Sequence, residues 1–223
     1  MAVSYNPGIV TNGLVLCLDA ANNRSYPGTG TAWSDLSGNG YNGTLVNSPT
    51  FSTSNNGVIN FTGANDYVNL GNPFEASTNF TIVVWVKNSS SGQGGMFTKG
   101  EVNDSTEWGL SFGFSNPLLI VARCRGTAQA LSASWVPYTT GYHQISYSVI
   151  GSSSSRLFVD GVQVASNTLS ISPAATIGNL QIAFHGTSYY FNDSIASVLY
   201  YNRALSSEEI SQNYNALRGR FGI

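Results

Sequence analysis

The stretch Ile195–Ile223, IASVLYYNRALSSEEISQNYNALRGRFGI, decides the fold. Ser197–Tyr201 reads as a strand that feeds a turn at Asn202-Arg203. Ser206 then stands at a helix N-cap with Glu209 three residues on, the spacing of a capping box. Ile210, Tyr214 and Leu217 recur at intervals of four and three, so one side of that helix is apolar. A single short helix closing a strand-rich chain implies a sandwich of sheets with the helix packed on it.

The segments before it supply the sheets. Arg156–Ser166, RLFVDGVQVAS, reads as a hairpin, because Asp160-Gly161 between two β runs is the pair that a type I′ turn favours. Phe80–Lys87, FTIVVWVK, places Phe80, Ile82, Val84 and Val86 on one face and Thr81, Val83, Trp85 and Lys87 on the other. Apolar residues on both faces predict a central strand covered on each side. Further strands are expected at Leu14–Asp19, Val58–Phe61, Tyr67–Leu70, Gly95–Lys99, Trp108–Phe114, Leu118–Cys124, Gln144–Val149, Ile177–Phe184 and Ile195–Tyr201. Trp33–Leu45 is rich in Gly and Asn and is expected to be mostly turn. No linker or repeat of solenoid length interrupts the series. The expectation is one all-β domain over residues 1–223, an antiparallel sandwich of about a dozen strands with a core over about 13–217.

Composition removes several functions. Of 223 residues, 42% are hydrophobic and only 9% charged, with a net charge of −2. A typical soluble domain carries about 25% charged residues. Solubility must therefore rest on Ser, Thr, Asn and Gly, and no basic footprint for nucleic acid exists. No apolar run approaches the length of a membrane span. The N-terminus lacks a basic region before an apolar core, so a secretory signal is not expected, and lysis is one route out of a cell. Cys17 and Cys124 both lie in strand-like runs, as buried free thiols or as a disulfide.

Six pieces in order carry a resemblance: LVLCLDAANNRSYPG, WSDLSGNGYNGTL, INFTGANDYV, FTIVVWVK, RLFVDGVQVA and IASVLYYNRALSSEEISQNYNAL. Together they resemble a laminin G-like, concanavalin A-like jelly roll over nearly the whole chain. Tyr142-His143 stands where that family often has Trp-His. The tail YNALRGRFGI is similar to the C-termini of tailed-bacteriophage proteins from marine and cyanobacterial hosts. The resemblance implies a non-enzymatic virion structural protein, a capsid decoration or fibre-like component that contacts other virion proteins and forms a symmetric homo-oligomer. Met1–Asn12 and Arg218–Ile223 are then the expected anchors. The alternative is a carbohydrate-binding adhesion module that grips host surface glycans.

Chemistry-bearing residues are sparse. Glu101, Asp104 and Glu107 are spaced three and three, which throws strand neighbours to opposite faces, so the segment reads as a polar loop rather than a glycosidase pair. His143 and His185 are expected to be hydrogen-bonded structural imidazoles. Arg123 and Arg125 flank Cys124 but point away from it along a strand. Relatives of this family often hold calcium at the sandwich rim, for which Asp35, Asn65, Asp66, Asn192 and Asp193 are candidates, but each is read first as closing its own turn and no cofactor is expected; Asp19, at a strand end, could equally be a turn former. Sugar stacking has candidates in Trp33, Tyr41, Trp108, Trp135, Tyr138, Tyr142, Tyr189 and Tyr190. Tyr189, Tyr190 and Asn192, read as one loop with Phe191, are the expected ligand site, and Trp85 is assigned to packing.

Overall fold

The computed structural model describes residues 8–74, 78–89, 93–100, 107–113, 116, 118–124, 131–151, 153–168, 178–186 and 188–223. β1 (Leu14–Asp19), β2 (Ala32–Trp33), β3 (Gly43–Val46), β4 (Thr50–Ser52), β5 (Val58–Thr62) and β6 (Tyr67–Asn69) precede the central β7 (Phe80–Lys87). β8 (Gly94–Lys99), β9 (Trp108–Phe112), β10 (Leu119–Cys124) and β11 (Leu131–Ser134) follow. Next come β12 (His143–Ile150), β13 (Ser154–Val159) and β14 (Val162–Asn167), then β15 (Leu180–Ile182), β16 (Phe184–His185), β17 (Tyr189–Tyr190) and β18 (Asn192–Tyr201). Helix α1 (Ser207–Leu217) closes the series.

Two eight-stranded antiparallel sheets form the sandwich. The first runs β14-β13-β12-β7-β18-β5-β4, with β1 also paired to β18. The second runs β11-β10-β9-β8-β15-β6-β3-β2. Between them lies one core that includes Phe80, Ile82, Val84 and Val86 from β7, Leu110 and Phe112 from β9, and Tyr147, Val198 and Tyr200. Burying each large apolar side chain contributes about 1.5–3 kcal/mol, so this layer dominates stability.

The outer face of the first sheet is also covered. Val83, Leu199 and Tyr201 pack with Leu205 and Ile210 at the start of α1. Trp85 lies between Tyr214, at 5.7 Å, and Phe221, at 4.5 Å, with both rings nearly parallel to it. The alternation of β7 therefore meets apolar surroundings on both sides, as its sequence predicts. Helix α1 starts where expected. Ser206 Oγ accepts from the Glu209 amide and the Ser206 amide donates to Glu209 Oε2, which is the capping box. The Asp160-Gly161 turn joins β13 and β14 with φ of 52° and 78°, the left-handed pair that the turn requires.

Some expectations are refined. Residues 34–42 of the stretch Trp33–Leu45 are irregular, as expected, while its ends pair, Trp33 in β2 and Gly43–Leu45 in β3. β4 and β11 escaped notice because their Ser and Thr residues dilute any apolar alternation. Ile177–Phe184 is not one strand: Ala183, at φ 65°, turns the chain out of β15 and into the separate β16–β17 hairpin, while Ile177 lies outside the described residues. The described parts of the expected anchors, residues 8–12 and 218–223, are tied back onto the domain. The Val10 amide donates to Asn213 Oδ1 at 2.8 Å and its carbonyl accepts from the Tyr201 hydroxyl at 2.9 Å. Arg220 ion-pairs with Asp19 at 2.7 Å and donates to the carbonyls of Asn55 and Gly57. Residues 1–7 lie outside the described residues.

Candidate functional site

Among the described residues, the outer face of the second sheet carries no helix. One small element lies on it, the β16–β17 hairpin, and the sequence beneath is shaped for it. A Cβ on Gly95 would lie 2.3 Å from the Phe184 carbonyl oxygen, and one on Gly94 would lie 2.5 Å from the Phe191 amide nitrogen. Only glycine fits under a backbone that close. Thr98 Oγ1 donates to the same Phe184 carbonyl at 2.6 Å. Phe191 then dives into the core and stacks on Phe112 at 5.7 Å, which fixes the far end of the hairpin.

The hairpin divides this face into two flanks. On one, Tyr190 stacks on Phe184 at 4.4 Å, and Tyr67 closes the group at 5.3 Å from Phe184 and 6.4 Å from Tyr190. Phe184 also borders a depression of about 170 Å³, whose other walls are Gly100, Gly178, Asn179, Gln181 and Gly186. Among the described residues its walls are neutral: two side-chain amides, glycine backbone and an aromatic edge.

On the other flank, Glu107 is buried and faces a guanidinium and an imidazole. Arg123 Nε lies 3.1 Å from Oε1 and His185 Nε2 lies 3.1 Å from Oε2. Arg123 Nη1 also donates to Ser111 Oγ at 3.0 Å. Burial pulls the Arg123 guanidinium below its ordinary value, and the Glu107 charge opposes that pull. The space that these groups enclose with Thr98, Trp108 and Gly109 has no room for a water molecule. This is a closed ionic clasp beneath the hairpin. Glu107 thus lies just before β9 and outside any strand, as its sequence neighbourhood implied, but it is buried rather than solvated, while Glu101 and Asp104 lie outside the described residues.

The expected ligand residues separate. Tyr189 and Tyr190 are half-buried and form a two-residue strand rather than a loop. Phe191 is core, and Asn192 is the exposed first residue of β18, paired with Thr62 in the other sheet. The structure gathers Tyr190 with Phe184 and Tyr67 instead. Trp33, Trp108 and Trp135 are buried and Tyr142 is nearly so, which removes them as stacking platforms. Tyr41 packs on Phe74, and Tyr138 on Trp135 and His143.

Asp35 and Asp66 close local turns, whereas Asp193 lies in β18 and holds the distant Ser89. Asp35 accepts from the amides of Cys17, Ser37 and Tyr41. Asp66 accepts from the Thr62 amide and hydroxyl. Asp193 accepts from the Ser89 amide and hydroxyl, and from Ser194 Oγ. The Asn65 carbonyl accepts from Asn47 Nδ2. Asp19 accepts from the Ala21 amide. Among the described residues no three His, Cys, Asp or Glu side chains gather as a metal set. Cys17 and Cys124 form no disulfide and are both buried, Cys17 under the helix and Cys124 in the inter-sheet core. Burial, with Asp19 and Asp35 nearby, pushes the Cys17 thiol up to about 12.

Fold and site together define a lectin-like jelly roll. The chain belongs to the concanavalin A-like lectin/glucanases superfamily, whose Laminin_G_3 model matches residues 61–211. Among solved structures it is similar to domain 4 of an extracellular arabinanase of Geobacillus stearothermophilus in complex with arabinotriose. The TM-score is 0.69 at 14% identity, over 90% of this chain and 98% of that one. The binding domain of botulinum neurotoxin serotype D matches with a TM-score of 0.70 at 14% identity, over 92% of this chain and 52% of that one. Trypanosoma rangeli sialidase in complex with sialic acid matches with a TM-score of 0.68 at 17% identity, over 99% of this chain and 37% of that one. The chain thus spans the whole arabinanase domain, about half of the toxin domain and about a third of the sialidase. No curated protein sequence matches it. No helix among the described residues is long and apolar enough to cross a membrane.

Proposed function

We propose that this chain is a non-catalytic glycan-binding domain that holds an uncharged sugar on the outer face of its second sheet. The observation that carries the reading is the depression of about 170 Å³ walled by Asn179, Gln181 and glycine backbone beside the Tyr190–Phe184–Tyr67 group. Amides donate to and accept from sugar hydroxyls, glycines let a ring approach the backbone, and an aromatic face meets its C–H surface. The cations nearest this face are engaged elsewhere: Arg123 faces Glu107, and the buried Lys99 donates to Asn72 Oδ1 and the Phe74 carbonyl. That arrangement favours neutral sugars over anionic ones. The arabinotriose complex of the similar arabinanase domain supports the same reading. The engagement of Glu107, the carboxylate of the enclosed clasp, by Arg123 and His185 supports binding rather than catalysis.

Isothermal titration against a panel of neutral and sialylated oligosaccharides tests the proposal. Neutral ligands are expected to bind, with affinity insensitive to added salt and to EDTA, and to weaken at least tenfold in Tyr190→Ala and Gln181→Ala. Silence across the panel sinks the reading. Loss of affinity with EDTA would restore calcium as a cofactor.

A second reading places the domain on a phage particle, as a surface component in contact with other virion proteins. The likeness of the tail YNALRGRFGI to phage C-termini supports it. Mass spectrometry of purified particles checks that placement: the protein is expected among virion components, and its absence ends the idea.

A further inference from the structure

We infer that His143 is a proton-dependent clasp that ties the crossover between the two sheets to the β13–β14 hairpin. The crossover, residues 135–142, leaves β11 in the second sheet and enters β12 in the first. At its end the His143 ring meets a hydrogen-bond acceptor at each nitrogen. Nδ1 lies 2.6 Å from Asp160 Oδ2, and Nε2 lies 3.0 Å from the Thr140 carbonyl. A carboxylate and a carbonyl only accept, and a neutral imidazole has a single N–H to give. Only the doubly protonated ring makes both contacts. When it becomes neutral, one of the two ties is lost.

The surroundings fix the ring and its partner in this geometry. Trp135 meets the imidazole edge-on at 5.6 Å and Tyr138 at 5.2 Å. Trp135 is itself held by its indole donating to the Asn88 carbonyl at 2.9 Å. Asp160 cannot swing away: Oδ1 accepts from the Gln144 amide, and its own amide donates to the Gln144 carbonyl, both at 2.9 Å. The next residue, Gly161, packs against the Ser211 backbone of α1, so the turn is wedged between β12 and the helix.

The elements packed around the ring differ in what they bring to it. The crossover offers the rings of Trp135 and Tyr138, and β7 offers Val86 opposite His143. Helix α1 offers the Tyr214 phenol, pushed up by its own burial and by Asp160, with Arg218 over its ring at 5.9 Å. Asp160 is the charge in direct contact among the described residues. Partial burial disfavours the charged ring. The Asp160 hydrogen bond, its charge and the Thr140 carbonyl outweigh that, so the ring titrates above its ordinary value. The sign follows: the clasp's contribution is complete below the unfolded imidazole value, about 6.5, and is lost as pH rises through the folded one.

The test uses the whole chain, which has only two histidines. Nitrogen-15 NMR titration of the wild type is expected to place one ring above the ordinary value, and Asp160→Asn to bring that ring down. Asn tolerates the left-handed turn and keeps the Gln144 bond, so the turn itself persists. Thermal melts from pH 5.5 to 9 are expected to show wild type exceeding His143→Gln by roughly 2–4 °C at the acid end, with the gap closing as pH rises. Hydrogen exchange in residues 138–142 should quicken over the same pH range. A His143 ring that titrates at or below its ordinary value, or a gap that stays constant with pH, overturns the inference. If His143→Gln does not fold, the NMR titration of wild type and Asp160→Asn decides alone.

Discussion

The two sheets share one core but differ on their outer faces. The first sheet presents Val83, Trp85, Leu199 and Tyr201 outward and covers them with α1 and the tail. The second presents Gly95, Thr98, Gly109, Ser111, Arg123 and Gln181 between core-facing neighbours, and among the described residues only the β16–β17 hairpin rests there. A face that will be covered needs apolar bulk, because burial of apolar area is what holds the cover down. A face left open can hold amides, glycines and aromatic edges. Those same groups recognise sugars, so the uncovered sheet is the one free to carry a function.

The sharpest way to break this contrast is on the covered side. Trp85→Ala removes the ring that Tyr214 and Phe221 clasp, and is expected to cost about 3–5 kcal/mol in chemical denaturation. Glycan affinity per folded molecule should not change. A cost under 1 kcal/mol would mean that the helix and tail are a loose attachment. On the open side, Gly95→Ala drives a methyl into the Phe184 carbonyl. An overpacked site of this kind costs about 1–3 kcal/mol. Its main effect is expected in function, since the hairpin that carries Tyr190 must lift. Unchanged affinity in a folded Gly95→Ala protein would detach the hairpin from the site.

Legibility in the sequence followed the same divide. The covered sheet announced itself: apolar residues on both faces of Phe80–Lys87, the Asp160-Gly161 turn and the Ser206–Glu209 box each obey a local rule, and each is where that rule puts it. The open sheet did not. Its clasp joins Glu107, Arg123 and His185, three residues brought together only by strand register, with Arg123 opposite Gly109 in the β9–β10 pair. The outward position of Arg123 between buried Ala122 and Cys124 was the one available signal. Gly94-Gly95 read as a strand start, because nothing local says that another backbone lies on them. Asn192 was grouped with Tyr190 by sequence proximity, yet Phe191 turns into the core between them and sends the chain to the other sheet. The tail looked like an arm because Arg220 finds Asp19 only through the fold.

Two smaller effects sharpen the covered side further. Ser206→Ala removes the acceptor for the Glu209 amide and is expected to cost about 1 kcal/mol, the usual worth of an N-cap, read from denaturation midpoints.

The smallest effect concerns charge at the same cap. Arg203 grips Glu209 through two bonds, Nη1 to Oε2 at 2.7 Å and Nη2 to Oε1 at 2.6 Å. Those bonds hold the Glu209 carboxyl below its ordinary value, against a weak opposing push from burial. A depressed carboxyl contributes stability above its unfolded value and loses it as pH falls through the folded one. Glu209→Gln keeps an acceptor for the Ser206 amide and removes only the charge. Because the pair is largely open to solvent, wild type should exceed this variant by only about 0.2–1 kcal/mol at pH 6, less at high salt, and the gap should close in acid. The histidine clasp across the same face runs the other way, strongest in acid and fading above neutrality. Melts of the two variants over one pH range should therefore diverge from wild type at opposite ends. If both gaps close at the same end, one of these two assignments of charge is wrong, and the NMR titration of His143 says which.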